Sequence, residues 1–99
     1  MHQRPALATA FVAPTTDLQS DLAAMVREIV GIGEVGVDDN LFELGFDSLL
    51  AHRLIGLMQE RLTISVPLRR VLEAPTVGEL AKFVEATRFA KSLRKKSRR

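Results

Sequence analysis

A chain of 99 residues with 46% hydrophobic content and no Cys, Trp or Tyr has room for one small packed domain. It cannot form disulfides or thiolate metal centres. Its net charge of +2 is unevenly split: residues before 88 hold all 12 acidic residues against seven basic ones, a net −5, whereas residues 88–99 carry seven basic residues and no acid.

The first 14 residues contain two prolines, Pro5 and Pro14, and no sustained period, so 1–14 reads as an N-terminal linker. Its apolar stretch over 6–13 is short and broken by Thr9, unlike a secretory signal. No run in the chain approaches the ~20 apolar residues of a membrane span. The absence of cysteine suits a reducing compartment, and a cytoplasmic, free-standing chain is expected.

A capping box at Thr16-Asp-Leu-Gln19 predicts the start of a first helix, with Gln19 reaching back to the cap. Leu18, Leu22, Met25, Val26, Ile29 and Val30 then recur at helical spacing, and Gly31 and Gly33 end the run. Residues 31–47 form a long connection, of the kind that is functional or pinned by its own side chains. Val37, Leu41, Phe42 and Leu44 are the candidate pins, and Asp38 or Asp39 is a candidate cap for a short turn over 40–44.

A second helix is predicted from Ser48 to about Leu62. Leu50, Leu54, Leu57 and Met58 cluster on one side, and Ser48, His52, Ile55, Gly56 and Gln59 on the other. The β-branched run 63–67 has no partner strand and reads as an extended loop, followed by a short helix over Leu68 to Glu73. A further capping box at Thr76-Val-Gly-Glu79 opens a last helix, whose stripe is Val77, Leu80, Ala81 and Val84. That helix has room to run into the basic tail, with Phe89 and Leu93 at i and i+4. The predicted fold is all-α: a four-helix bundle of three main helices and one short one, with a long first loop. The expected division is a linker over 1–14, a domain over 15–87 and a basic tail over 88–99.

Asp47, Ser48 and His52 place an acid, a hydroxyl and an imidazole within six residues, with Ser48 and His52 neighbours on a helix. A hydrolase also needs a carboxylate on the far imidazole nitrogen and an oxyanion hole. Asp47 would have to bend around Ser48 to reach His52, and Leu49-Leu50 after the serine departs from a Gly-x-Ser-x-Gly elbow. On local grounds the commoner role of Asp47 and Ser48 is to cap the helix.

The wider pattern adds a third role. Residues 40–55, Asn-Leu-Phe-Glu-Leu-Gly-Phe-Asp-Ser-Leu-Leu-Ala-His-Arg-Leu-Ile, closely resemble the signature around the modified serine of phosphopantetheine carrier proteins, particularly the peptidyl carrier (thiolation) domains of nonribosomal peptide synthetases. The resemblance extends to Phe11-Val-Ala-Pro-Thr-Thr-Asp-Leu18, Val35-Gly-Val-Asp-Asp39 and Val66-Pro-Leu-Arg-Arg-Val-Leu-Glu-Ala-Pro-Thr-Val77, so it covers about residues 11–85 in family order. It implies the four-helix carrier-protein bundle and a non-catalytic chain. Ser48 would receive 4′-phosphopantetheine from a phosphopantetheinyl transferase, with Asp47 serving recognition by that enzyme. The thiol of the arm would hold aminoacyl or acyl groups as thioesters for nonribosomal peptide or related secondary-metabolite biosynthesis.

The implied partners are an adenylation or acyl-loading enzyme and downstream condensation, tailoring or thioesterase enzymes. The chain itself is expected to be a monomer that binds neither nucleic acid nor membrane. In related carriers the positions one, four and eight after the serine touch partners; here they are Leu49, His52 and Gly56, and Phe46 is grouped with them. Phe46 departs from the glycine that peptidyl carriers mostly have two positions before the serine. A bulky residue there resembles the acyl carriers of polyketide and fatty-acid pathways, while the flanking blocks resemble the peptidyl type. A rival class is a basic-tailed helical nucleic-acid-binding module. The acidic body and the lack of Tyr and Trp for base stacking weigh against it, and leave the tail as a contact for an acidic partner.

Overall fold

Four helices in the order α1 (Asp17–Val30), α2 (Ser48–Leu62), α3 (Leu68–Glu73) and α4 (Val77–Ser97) make up the regular structure. The computed structural model describes residues 10–97, with side chains through Leu93. Residues 1–9, most of the expected linker, and Arg98 and Arg99 of the tail lie outside the described residues.

Thr16 caps α1 as its sequence predicts: its hydroxyl accepts from the Gln19 N–H at 3.1 Å. The return contact is shifted by one residue, because Gln19 Oε1 accepts from the Thr15 N–H at 2.8 Å rather than from Thr16. Leu22, Ala23, Met25 and Val26 are buried, with Leu18, Ile29 and Val30 packed at the margin. Gly31 ends the helix at φ 78°, a left-handed cap whose N–H bonds the Arg27 carbonyl at 2.8 Å.

α1 packs on α2 and α4, and α2 packs on α3. In α2 the buried residues are Ala51, Leu54 and Met58. The expected stripe is therefore rotated: Leu50 and Leu57 are only half-buried, and so is Ile55, which the spacing had assigned to the open side. Arg61 on α2 forks onto Glu28 on α1 through two bonds of 2.7 and 3.0 Å. That contact holds the Glu28 carboxyl below, and the Arg61 guanidinium above, their ordinary pKa values. Arg70 of α3 lies over the Phe83 ring of α4, 5.3 Å from its centroid.

The long loop is tied down by both kinds of force. Ile32, Val35, Val37, Leu41, Leu44 and Phe46 enter the core, while Phe42 is half-buried. Its backbone is stitched to three other segments: Val37 N–H to Val12 O at 2.8 Å, Leu41 N–H to Pro75 O at 2.8 Å, and Gly78 N–H to Val37 O at 2.9 Å. Glycine suits position 36, because a Cβ there would stand 3.0 Å from Val12 N and 3.2 Å from both Asp39 carboxylate oxygens and would press those neighbours back. Asp39 is fully buried and accepts from the Gly36 N–H at 2.8 Å, so it closes the 36–39 turn. The cap of the 40–44 turn is neither Asp38 nor Asp39 but Asn40, whose Oδ1 accepts from the Phe42 N–H at 2.8 Å.

Ile64 and Val66 pin the extended segment before α3. α4 starts on a Thr76 cap, with the Glu79 N–H donating to Oγ1 at 3.1 Å. The Glu79 carboxylate turns to Lys82 at 3.5 Å. Val77, Leu80, Ala81 and Val84 are buried, and the helix continues through the basic segment to Ser97.

Candidate functional site

The loop delivers the chain to α2 through a closed turn. Phe46 N–H bonds Leu41 O at 3.1 Å, and the Phe46 side chain packs in the core at 5% exposure. Phe46 is thus a core residue, not a member of an exposed partner face; an aromatic side chain in this turn gains more from burial than a surface site would provide. The next residue, Asp47, is extended (φ −133°, ψ −174°) and is the N-cap of α2: its Oδ1 accepts from the Leu50 N–H at 2.9 Å. Ala51 N–H bonds the Asp47 carbonyl at 2.9 Å and completes the first turn.

Ser48 is therefore the first residue of α2, and it is exposed. The first-turn amides of Ser48 and Leu49 have no acceptor within the helix, and no acidic residue stands inside that turn. The helix dipole and these amides favour an anion beside the Ser48 hydroxyl.

His52 stands one turn on, with Nδ1 3.0 Å from the Ser48 carbonyl oxygen. With a proton on Nδ1 that contact is a hydrogen bond donated to the carbonyl. Asp47 Oδ1 faces the Leu50 amide and His52 Nδ1 faces a carbonyl, so the two are not joined as the acid–imidazole pair that a hydrolase triad requires.

The surface beside Ser48 is apolar and open. Leu49 is 70% exposed. His52 and Gly56 follow along the same helix, both exposed, and a Cβ at Gly56 would meet nothing within 4 Å. Among the described residues nothing outside the helix's own backbone packs against this position, so the missing side chain leaves a gap on the outside of α2. Elsewhere, on α3, Leu72 is 45% exposed, an apolar residue that sequence reasoning does not single out. A six-residue helix is too short for its period to separate an inward Val71 from an outward Leu72.

This geometry coincides with a family match. Residues 20–84 match the family described as phosphopantetheine attachment site. The chain belongs to that carrier family. Its cofactor is 4′-phosphopantetheine, and an exposed serine at a helix N-terminus suits a phosphate-linked group. The carrier is 43% identical over 75 residues to tyrocidine synthase 2 of Brevibacillus parabrevis, which covers 76% of this chain and 2% of the synthase. It thus spans about 2% of the length of the curated relatives it matches. Among solved structures it is similar to a peptidyl carrier protein in solution, an active-site mutant, with TM-score 0.77 and 31% identity over 85% of this chain and 92% of that one. It is also similar to a chain in the complex of the phosphopantetheine transferase Sfp with coenzyme A and a peptidyl carrier protein. There the TM-score is 0.76 and the identity 29%, over 77% of this chain and 99% of that one. Among the described residues no helix is long and apolar enough to cross a membrane, and no cluster of His, Cys, Asp or Glu is arranged to hold a metal ion.

Proposed function

We propose that Ser48 is the attachment point of 4′-phosphopantetheine and that the chain carries aminoacyl groups for a nonribosomal peptide pathway. The observation that supports this most directly is the exposed Ser48 hydroxyl on the first residue of α2, within a carrier family match. When bound, the group supplies a thiol that holds carboxylic acids as thioesters, chemistry that a chain without cysteine has no other means to perform.

The chain's own residues present the site. Asp47 fixes the first turn through Leu50 and leaves Ser48 exposed, so that its hydroxyl can attack the pyrophosphate of coenzyme A, giving up its proton as the phosphodiester forms and the adenosine bisphosphate half leaves. The amides of Ser48 and Leu49 then favour the phosphate charge. A phosphopantetheinyl transferase is the modifying partner. It reads Asp47 as a negative charge beside the hydroxyl. Leu49, His52 and Gly56 form the face that loading and downstream enzymes contact, namely adenylation, condensation, tailoring or thioesterase enzymes. The domain proper is 15–87, it acts as a cytoplasmic monomer, and it is not itself a catalyst.

The burial of Phe46 bears on the cargo. A bulky residue at this position is an acyl-carrier trait, but here it fills the core, so its size reflects packing rather than the group carried. The flanking segments of peptidyl type then favour an aminoacyl cargo over the acyl alternative.

Incubation with coenzyme A and a phosphopantetheinyl transferase should add one phosphopantetheine to the intact mass. Ser48→Ala should abolish the addition with the helical circular dichroism unchanged. Modification of the alanine variant would refute the assignment of Ser48. Loading of the holo protein by acyl transferases but by no adenylating enzyme would refute the aminoacyl reading alone.

A further inference from the structure

Side chains on a helix lean toward its N-terminus, so a residue at i+4 lies over residue i. His52 returns in this way to Ser48: its Nδ1 stands 3.0 Å from the Ser48 carbonyl oxygen, which tethers the ring beside the start of α2. The ring is exposed. Among the described residues Nε2 has no hydrogen-bond partner, and no carboxylate pairs with the imidazole. Imidazole is the side chain whose charge changes between about pH 5 and 8, so the turn that carries Ser48 holds a cation that pH can supply or remove.

The other charged groups around this end of α2 are engaged or face elsewhere. Asp47 Oδ1 accepts from the Leu50 N–H. Arg53 points ~100° further around the axis. Arg61, nine residues on, lies ~180° from His52, and it is there that α1 offers Glu28. On α3, which packs on α2, Arg69 pairs with Glu73 at 3.7 Å and Arg70 lies over the Phe83 ring. In the loop ahead of α2, Asp39 is buried against Gly36 and Glu43 is exposed.

We propose that protonated His52 clamps the phosphodiester of a modified Ser48 against α2, so that the arm leaves along the helix toward Gly56. The inference rests on Ser48 being the attachment point. The link adds one negative charge at Ser48, and β-carbons one turn apart are about 5–6 Å from each other. A unit charge ~6 Å away through water moves an ionisation by about half a pH unit toward the charged form. The hold is complete below the midpoint of the ring's titration and fades as pH rises through it. Gly56 stands one turn beyond His52, and a Cβ there would meet nothing within 4 Å, so the course along α2 is open. His52 is a positioning residue: it orients the arm and takes no part in forming the bond.

The test uses the full chain as apo protein and as holo protein made with coenzyme A and a phosphopantetheinyl transferase, the holo form checked by intact mass. Proton NMR follows the ring Hε1 signal against pH, with His52→Gln to tell it from that of His2. The midpoint should rise by about half a pH unit on modification, and by less at about 500 mM salt than at about 50 mM. A phosphodiester does not itself titrate in this range, so the phosphorus NMR signal of the holo protein should shift with the same midpoint. That shift should vanish in holo His52→Gln, whose melting temperature should match wild type because the side chain is exposed. Equal midpoints in apo and holo protein, or a phosphorus titration that persists in His52→Gln, would overturn the clamp while the Ser48 assignment stands. Absence of the added mass, or its persistence in Ser48→Ala, would overturn the Ser48 assignment and the clamp with it.

Discussion

Replacing Phe46 by alanine separates a core role from a recognition role for the residue two positions before Ser48. The side chain is 5% exposed and its backbone N–H closes the turn on Leu41. An aromatic side chain removes about 150–250 Å² from water, worth about 4–6 kcal/mol at ~25 cal/mol/Å². Alanine keeps only the β-carbon, so the expected loss is about 3–5 kcal/mol, cavity included. A domain of this size has roughly 5–15 kcal/mol in all, so Phe46→Ala should consume much of it and lower Tm by at least about 12 °C. Urea unfolding followed by circular dichroism measures the loss. Well below the melting temperature, the folded fraction should still be modified on Ser48 at close to the wild-type rate, because Phe46 presents no surface to an enzyme. A variant with near-native stability but slow modification would refute this reasoning and return Phe46 to the partner face.

Leu49→Ala, at a 70% exposed site, should change stability by less than about 0.5 kcal/mol while slowing loading by the cognate enzyme; a loss of loading that merely tracks unfolding would count against the face on α2. Asp47→Ala should cost about 1 kcal/mol through the lost cap, and Asp47→Ser should restore stability but not the modification rate if the transferase reads the charge. Thr63 is a β-branched residue at φ 56° that ends α2, so Thr63→Gly should stabilise by about 1 kcal/mol, measured as a rise in the urea midpoint. Glu28 has a carboxyl pKa lowered from 4.5 by Arg61, so its pair stabilises above that value and fades as pH falls through the lower folded pKa; Glu28→Gln should flatten the acid limb of a stability–pH curve, and a parallel curve would show that the pair contributes nothing. Truncation after Thr87 should leave Tm and Ser48 modification nearly unchanged, because the last large residues it removes, Phe89 and Leu93, are exposed.

The helices were legible in the sequence where burial is one-sided and the residues are large. Leu22, Met25 and Val26 in α1 and Val77, Leu80 and Val84 in α4 stand inside as their spacing requires. The spacing in α2 misplaces the stripe because Ala51, its central buried residue, is too small to register as apolar against five leucines. The loop was legible only as a loop. Its fully buried Asp39 is an acid that any hydropathy pattern assigns to solvent, and what admits it is the Gly36 amide and the bare Gly36 α-carbon, a three-dimensional arrangement. Ser48 is proposed as the site on resemblance, not on spacing, since spacing alone ranks Asp47 and Ser48 as a helix cap. The structure shows that Asp47 is that cap, and Ser48 needs a further reason to be there.

That reason follows from how the loop and the cap act together. Asn40 closes the 40–44 turn, Phe46 anchors its end in the core, and Asp47 opens α2 one residue later. Each of the two residues before Ser48 is thus held by a separate force, burial for Phe46 and a hydrogen bond for Asp47, and Ser48 is the first residue in this segment held by the helix alone. A serine used only for capping would accept from an amide two or three residues on, as Thr16 and Thr76 do. Here Asp47 takes the Leu50 amide, which leaves the Ser48 hydroxyl uncommitted at the start of the bundle's second helix. Moving the cap by one position, with Asp47→Ala making Ser48 compete for that role, would therefore turn the hydroxyl back toward its own helix. On the proposed reading, the division of labour between an acid that caps and a serine that does not leaves Ser48 open to a modifying enzyme.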